Sequence, residues 1–371
     1  MAPDAEKTAV TAVPAWGDIP ALLEFCDAVL PTLRLANGLY CFDREFGSPE
    51  VRGTSPRYTL MVALGAERGA RAGLDLAVDA TELADVVMRD QAALTLGDRG
   101  LLLWLLARLG DDRADRVLAG LSSVRADDLV ELEGMEIVWL VTGAAVAVGA
   151  GRPAEQLLSV VLDALWSRRA TSSPLFHHKG AGRRAVLPNF ATQIYSVLAL
   201  AEVARATDDQ KAIAAAVELS DLLIDSRDDD FGWPWLFHSE RGTVVERYQV
   251  YSVHQDAMAP MALFAVSEVT GDDRYATAGA EGLEWCYGRN ELSFHFYDPA
   301  NRFAHRAIRR KGAADRAELW ANTAFGLAGA PQRLDVGPRT INATCRPYHL
   351  GWVIEAWAGR EDRIELVTGS R

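Results

Sequence analysis

The sequence predicts an all-α fold in which a ring of buried helices sits inside a second ring of amphipathic ones. Three observations point there. Strongly apolar helical stretches recur, around 57–67, 98–109, 133–149, 189–205, 250–269, 316–328 and 346–358. Between them lie amphipathic stretches near 18–34, 73–90, 113–124, 153–169, 209–226 and 273–287, with apolar residues three and four apart. The two ends of each apolar stretch also differ, short turns on one side and long aromatic-rich segments on the other. A helix that is apolar all round must be buried on every side, whereas one with a single apolar stripe lies outside. With 49% hydrophobic residues in 371, the chain can fill one large core.

The apolar helices stop alike, in ALGAERGA, ARLGDDRA, VGAGRPAE, ARATDDQK, EVTGDDRY, LAGAPQRL and AWAGREDR. A small residue or Gly suits the left-handed position that ends a helix, and the Asp or Pro that follows starts the next. Such tight turns make consecutive helices antiparallel neighbours. At the opposite ends, segments 38–58, 173–190, 228–248 and 290–316 are rich in Trp, Tyr, Phe, His, Gly and Pro, and short β-hairpins fit within some of them. A weak repeat runs through the pattern. Gln193-Ile194-Tyr195-Ser196-Val197 is echoed by Gln249-Val250-Tyr251-Ser252-Val253, and Arg57-Tyr58 by Arg247-Tyr248. Repeated units of this kind close or stack. The fifth apolar helix is expected to start early and carry polar turns into a central cavity, and the seventh to complete or cover the ring. An α-solenoid would show a stricter period. The expected layout is a flexible N-terminus over 1–17, one helical domain over 18–359 and a tail over 360–371.

Bulk properties narrow the function. A net charge of −13 and a pI near 5.1, with no basic run longer than Arg309-Arg310-Lys311, argue against nucleic acid. That run is read as a solvated loop, or as a holder of a carboxylate or phosphate. Segment 137–150 is too short to span a membrane, so no membrane partner is expected. The N-terminus lacks a basic start followed by an apolar run, which together with four scattered cysteines (Cys26, Cys41, Cys286, Cys345) predicts a cytoplasmic protein with free thiols.

On architecture and on loops such as Asp230-Phe231-Gly232-Trp233-Pro234-Trp235, the chain resembles the (α/α)6 toroids of the six-hairpin glycosidase-like kind. The resemblance spans about 18–359 and includes no family-defining motif. It implies a carbohydrate-active enzyme that acts on a glycosidic or uronic-acid unit by acid–base chemistry, as a hydrolase, lyase or epimerase. The substrate would be a small molecule or oligosaccharide, with no cofactor and no metal.

All seven histidines lie in long loops or at the starts of apolar helices: His177, His178, His238, His254, His295, His305 and His349. In a toroid those segments converge at one mouth. Tyr251, His254, Gln255 and Met258 share a helix face, with Arg247 one turn earlier. His254 is the expected proton carrier; Asp256 points away from it. Asp230 is the acid of the Asp228-Asp229-Asp230 run expected to enter the cavity. Asp43, Glu45, Glu246, Glu291 and Asp298 are the candidate second carboxylates. Catalysis is therefore assigned to Asp230, His254, Glu246 and Tyr251. Arg57, Arg247, Arg306, Arg309 and Arg310 suit a uronate carboxylate. Trp233, Trp235, Tyr40, Phe176 and Tyr348 suit sugar rings. Tyr58, Tyr248, Gln255, His295 and His349 complete the expected substrate contacts. Trp104, Trp139, Trp166, Trp320 and Trp357 lie inside helices and are assigned to the core.

Other readings remain. Trp285-Cys286-Tyr287-Gly288, with Cys345 and His349 downstream, resembles a lanthionine-cyclase zinc set, but no second cysteine directly precedes the histidine. A terpene-cyclase toroid would carry D-x-D-D or D-D-x-x-D, and neither is present. A non-catalytic module binding a glycan or a protein is the third.

Overall fold

The computed structural model describes residues 14–90, 93–182, 185–230, 232–330 and 334–369. Most of the N-terminal segment, and Phe231 of the aromatic loop, lie outside them. In chain order the long helices are α1 (Ile19–Val29), α2 (Pro56–Arg71), α3 (Ala80–Met88), α4 (Leu96–Leu109), α5 (Arg113–Leu121), α6 (Gly134–Gly149) and α7 (Glu155–Ser167). They continue as α8 (Phe190–Thr207), α9 (Gln210–Asp225), α10 (Ala259–Thr270), α11 (Asp273–Glu281), α12 (Ala313–Leu327) and α13 (Pro347–Trp357).

The ring closes. α2 packs on α4, α4 on α6, α6 on α8, α8 on α10, α10 on α13, and α13 back on α2. The outer helices α1, α3, α5, α7, α9 and α11 each lie against this inner ring. Sequence explains the layering. α5 buries only Ala114, Val117, Leu118 and Leu121, a single stripe, whereas α4 is buried continuously from Gly100 to Ala107. Ser55, Thr95 and Asn189 cap α2, α4 and α8, their side chains accepting backbone N–H groups. Gly110 and Gly271 end α4 and α10 at positive φ, 67° and 73°.

Two glycine pairs set the ring's tightness. α4 and α6 cross with Gly100 against Gly143, and α2 and α13 cross with Gly65 against Gly351. A Cβ at Gly143 or Gly65 would overlap the facing glycine carbonyl.

Short antiparallel strands tie the long loops together. Asp43–Glu45 pairs with both Val51–Arg52 and Thr344–Cys345, joining the first loop to the last. Leu236–His238 pairs with Thr243–Glu246, and Tyr297–Asp298 with Phe303–Ala304. Val250–Tyr251 is an edge strand on Ala307–Arg310, which also pairs with Arg339–Asn342. The fifth apolar stretch therefore begins as a strand and turns helical only after Tyr251.

The structure corrects or details three expectations. The apolar stretch 316–328 is not a ring helix; α12 packs on the loop strands Thr243–Glu246 and Ala307–Arg310. Its Trp320, assigned to the core, is 66% exposed, because an excursion between two strands has no second layer to cover it. Trp320→Asn should change the urea midpoint by less than the equivalent of about 0.5 kcal/mol. Second, the described part of the C-terminal tail, residues 360–369, packs against the outer helix α11. They form a short helical segment, Glu361–Thr368, that buries Ile364 and Val367, and Arg363 pairs with Asp273 at 3.1 Å. Third, Arg310 is no solvated loop residue. Its side chain is fully buried between Glu246 and Glu318, at 2.8 Å from each.

Among the described residues, no helix is long and apolar enough to cross a membrane.

Candidate active site

The N-terminal ends of all six inner helices face the long loops, so their first turns present side chains to one mouth. Pro56 at the first position of α2 and the Ser55 cap fix that helix start, which sets Arg57 and Tyr58 at the rim. The Arg57 Nε donates to Asp98 Oδ1 at 2.5 Å, and its Nη2 lies 3.4 Å from Glu136 Oε1. Its guanidinium covers the Trp139 ring at 4.8 Å. Asp98 is itself held by the first turn of α4, where it and Thr95 cap each other's backbone N–H.

Opposite, Tyr58 and Tyr348 lie 4.6 Å apart, ring to ring. The Tyr58 hydroxyl accepts from Arg346 Nη1 at 2.6 Å, and Arg346 rests 4.2 Å over Phe42. On the next wall Arg306 covers Tyr251 at 5.1 Å. Tyr251 meets the His254 ring at 5.0 Å, and Phe190 backs His254 at 4.8 Å. His254–Met258 is a π-helical turn leading into α10. Such a turn widens the helix and re-aims side chains, and it recurs at functional sites. The floor is aromatic. Trp352 Nε1 donates to the Tyr195 hydroxyl at 2.7 Å, and Trp352 lies 6.0 Å from Trp104.

Arg57, Tyr58, Tyr251, Arg306, Arg346 and Tyr348 are all half-buried. Tyr195 and His254 are buried behind them. Burial pushes the Tyr58 hydroxyl up to about 12, with Tyr348 adding to the rise and Arg346 and Arg306 opposing it. Tyr195 and Tyr251 are raised by the same cause. Burial first, then Arg306 and His349, lower His254 to about 3. At neutral pH the hollow thus holds protonated phenols as donors, guanidinium cations, and a neutral imidazole able to accept.

The buried imidazoles carry a stability prediction. His254 and His305 have folded values of about 3 and about 4, both below the ordinary histidine value and both lowered mainly by burial. The unfolded chain therefore takes up protons that the folded chain refuses. Their contribution is complete above about pH 6.5 and is lost as pH falls towards those folded values, by at most about 1.4 kcal/mol per pH unit for each imidazole. Urea melts between pH 7 and 4.5 should show this slope, and His254→Phe should flatten it.

Several expected site residues lie elsewhere. Asp230 is exposed on its loop; the acid of that run held against the fold is Asp228, which accepts from Gly232 N at 2.7 Å and pairs with Arg247 at 3.4 Å. Glu246 is fully buried and accepts from Arg310, Asn322 and the Tyr248 N–H, which closes it to substrate. Trp233 is also fully buried, stacked on Phe190 at 5.2 Å, so it is packing rather than a sugar platform. Gln255 ties the loop to the helix, accepting from Trp233 N and donating to Tyr251 O. Tyr248 is clamped between Arg310 and Arg339, at 5.0 and 4.2 Å, and donates to Glu291 at 2.6 Å. Tyr40 and Phe176 are buried, Trp235 is half-buried, and His295 is exposed. His349 is buried, its Nε2 2.7 Å from Asp256 Oδ2, which also accepts from Tyr297 and Cys286.

The structure adds Glu136 and Arg346 to the rim, with Asp98, Tyr195 and the core residue Trp139 buried behind them. Glu136 had a readable signal, since a carboxylate two residues into an otherwise apolar inner helix is the same anomaly that singles out His254. Arg346, just before α13, gave none. Among the described residues, no group of three or more His, Cys, Asp or Glu is arranged to hold a metal.

No protein-family model and no curated protein matches the sequence. Solved structures do match. An unsaturated glucuronyl hydrolase specific for heparin superposes with a TM-score of 0.64 at 12% identity, covering 95% of this chain and 98% of that one. The cellobiose 2-epimerase of Bacillus thermoamylovorans gives 0.63 at 8% identity, covering 92% and 99%. A possible member of the GH105 family from Salmonella enterica gives 0.55 at 10%, covering 97% and 99%. With both helical rings closed over the same length as these structures, the chain has an (α/α)6 toroid fold.

Proposed function

We propose that the protein is a carbohydrate-active enzyme that processes an acidic sugar, a uronate unit, by acid–base chemistry in the mouth of the toroid. One observation carries the reading. Arg57, Arg306 and Arg346 meet Tyr58, Tyr251, Tyr348 and His254 where six inner-helix N-termini converge. Guanidinium groups and helix N-termini both favour an anion, and tyrosine faces suit a pyranose. The heparin-directed glucuronyl hydrolase of the same fold supports the choice of an acidic sugar.

In this reading Arg306 and Arg346 hold the substrate carboxylate, and Tyr58 and Tyr348 support the ring. Glu136 is the carboxylate that moves a proton. Its contact with Arg57 is long, and its side chain keeps 17% exposure, whereas Asp98 is committed to Arg57 and to its cap. His254, across α8 on the opposite wall, is the second proton-transfer group, neutral and able to accept. Four free, buried cysteines support a reducing, cytoplasmic setting.

The test is a substrate panel of unsaturated uronyl disaccharides, simple uronates, cellobiose and mannose, followed by product analysis that separates hydrolysis from epimerisation. Acidic sugars should be turned over, and Arg306→Gln should lower kcat/KM for them at least tenfold. Equal turnover of neutral sugars, an indifferent Arg306→Gln variant, or binding without turnover would contradict the reading.

A further inference from the structure

The ring has a cavity on the side away from the mouth. Trp104 of the aromatic floor also lines this rear pit, which has a volume of about 280 Å³. All six inner helices contribute to it near their C-terminal ends. Converging helix C-termini carry partial negative charge, which arginines in the last turns offset. Five arginines line the pit against three glutamates. Arg205 pairs with Glu268 at 2.8 Å, and Arg360 with the same carboxylate at 2.7 Å. Arg108 pairs with Glu355 at 2.6 Å and with Glu67, which also takes Arg71.

These pairings leave hydrogen-bonding capacity over. Among the described residues Arg68 has no carboxylate partner; its Nε donates to the Ala358 carbonyl at 2.9 Å. Burial, together with Arg360 and Arg108, lowers its pKa, so its charge sits in surroundings that an anion would improve. Two buried atoms of the wall also have no hydrogen-bond partner, Arg108 Nε and Glu355 Oε2. Buried polar atoms of this kind call for an explanation. A donor, an acceptor and an unbalanced cation around a space the size of one small metabolite define a ligand.

We propose that the rear pit is a second binding site, for a small oxyanion that also carries a hydroxyl group, the chemistry shared by a phosphate and a sugar acid. The oxyanion lies between Arg68 and Arg108 and accepts from Arg108 Nε, while the hydroxyl donates to Glu355 Oε2. The site is independent of the proposed reaction, because the aromatic floor separates it from the mouth.

Titration calorimetry on the Arg306→Gln variant, in which anion binding at the mouth is weakened, tests this with inorganic phosphate and with glucuronate as separate arms. Chloride at equal ionic strength is the control. One or both ligands should bind, and the tighter arm identifies the source. At ten times its Kd that ligand should raise the melting temperature by about 2 °C. Adding Arg68→Gln should weaken binding at least tenfold. Arg116→Gln removes the same charge from an exposed side chain on the outer helix α5, away from the pit, and should leave it within twofold. No heat with either ligand, or binding that ignores Arg68→Gln, overturns the proposal. Arg68 is half-exposed, and a melting curve confirms that its variant is folded.

Discussion

Glu136→Gln should lower turnover of an acidic sugar by about 10³-fold, within the range a positioned proton-transfer group supplies. The melting temperature should move by no more than about 2 °C. The asymmetry follows from what each partner of Arg57 does. Asp98 holds Arg57 at 2.5 Å and caps α4, so it is part of the scaffold. Glu136 approaches Arg57 only at 3.4 Å, and an amide of the same shape keeps the packing while removing the proton-carrying group. Asp98→Asn is therefore the contrasting variant, expected to lose stability as well as activity. Asp230→Asn should leave turnover within twofold, since Asp230 is exposed on its loop. If Asp230→Asn silenced the enzyme and Glu136→Gln did not, the roles of these two carboxylates would be reversed.

The second large effect is on stability. Gly143→Ala should cost about 3 kcal/mol, at the upper end for adding one carbon to a packed site. The new methyl would meet the Gly100 carbonyl, a backbone atom in the middle of a helix. Neither α4 nor α6 can retreat, because each is also packed against its other neighbour in a closed ring. For a domain of this size the loss should appear as a fall of about 4 °C in melting temperature. Gly120→Ala is the control. Gly120 lies in the outer helix α5, and a Cβ there meets nothing within 4 Å, so the helix-propensity gain of up to about 1 kcal/mol is uncompensated and the variant should melt higher. A chain that tolerated Gly143→Ala would have an inner ring loose enough for α4 and α6 to separate.

Layering was readable because it rests on periodicity. An apolar surface all round α4 and a single stripe along α5 leave one arrangement that buries both. α12 misled because 316–328 has the apolar content of an inner helix, but its neighbours in the chain are strands. Its position is set by their pairing through Ala307–Arg310 and Arg339–Asn342, which no local pattern announces. The site divides in the same way. Arg57, Tyr58, Tyr251, His254 and Tyr348 sit on inner helices or at their starts, where the ring fixes direction, and Tyr58 meets Tyr348 as Tyr251 meets His254. Asp230, Glu246 and Trp233 sit in a loop whose course depends on a bulged hairpin and on buried partners such as Arg310. Spacing alone cannot tell a wall residue there from a packed one. Arg306 was recognised as a cation suited to a uronate, yet its place over Tyr251 comes from the strand pairing of Val250–Tyr251 with Ala307–Ile308.

The most direct test of the mouth as a working site is a crystal structure of Glu136→Gln soaked with an unsaturated uronyl disaccharide. The uronate carboxylate should lie within hydrogen-bonding distance of Arg306 or Arg346, its ring against Tyr58 and Tyr348, with His254 facing the reacting carbons. A disaccharide lodged outside the ring of inner helices, or one whose carboxylate touches neither arginine, would contradict a uronate-processing mouth.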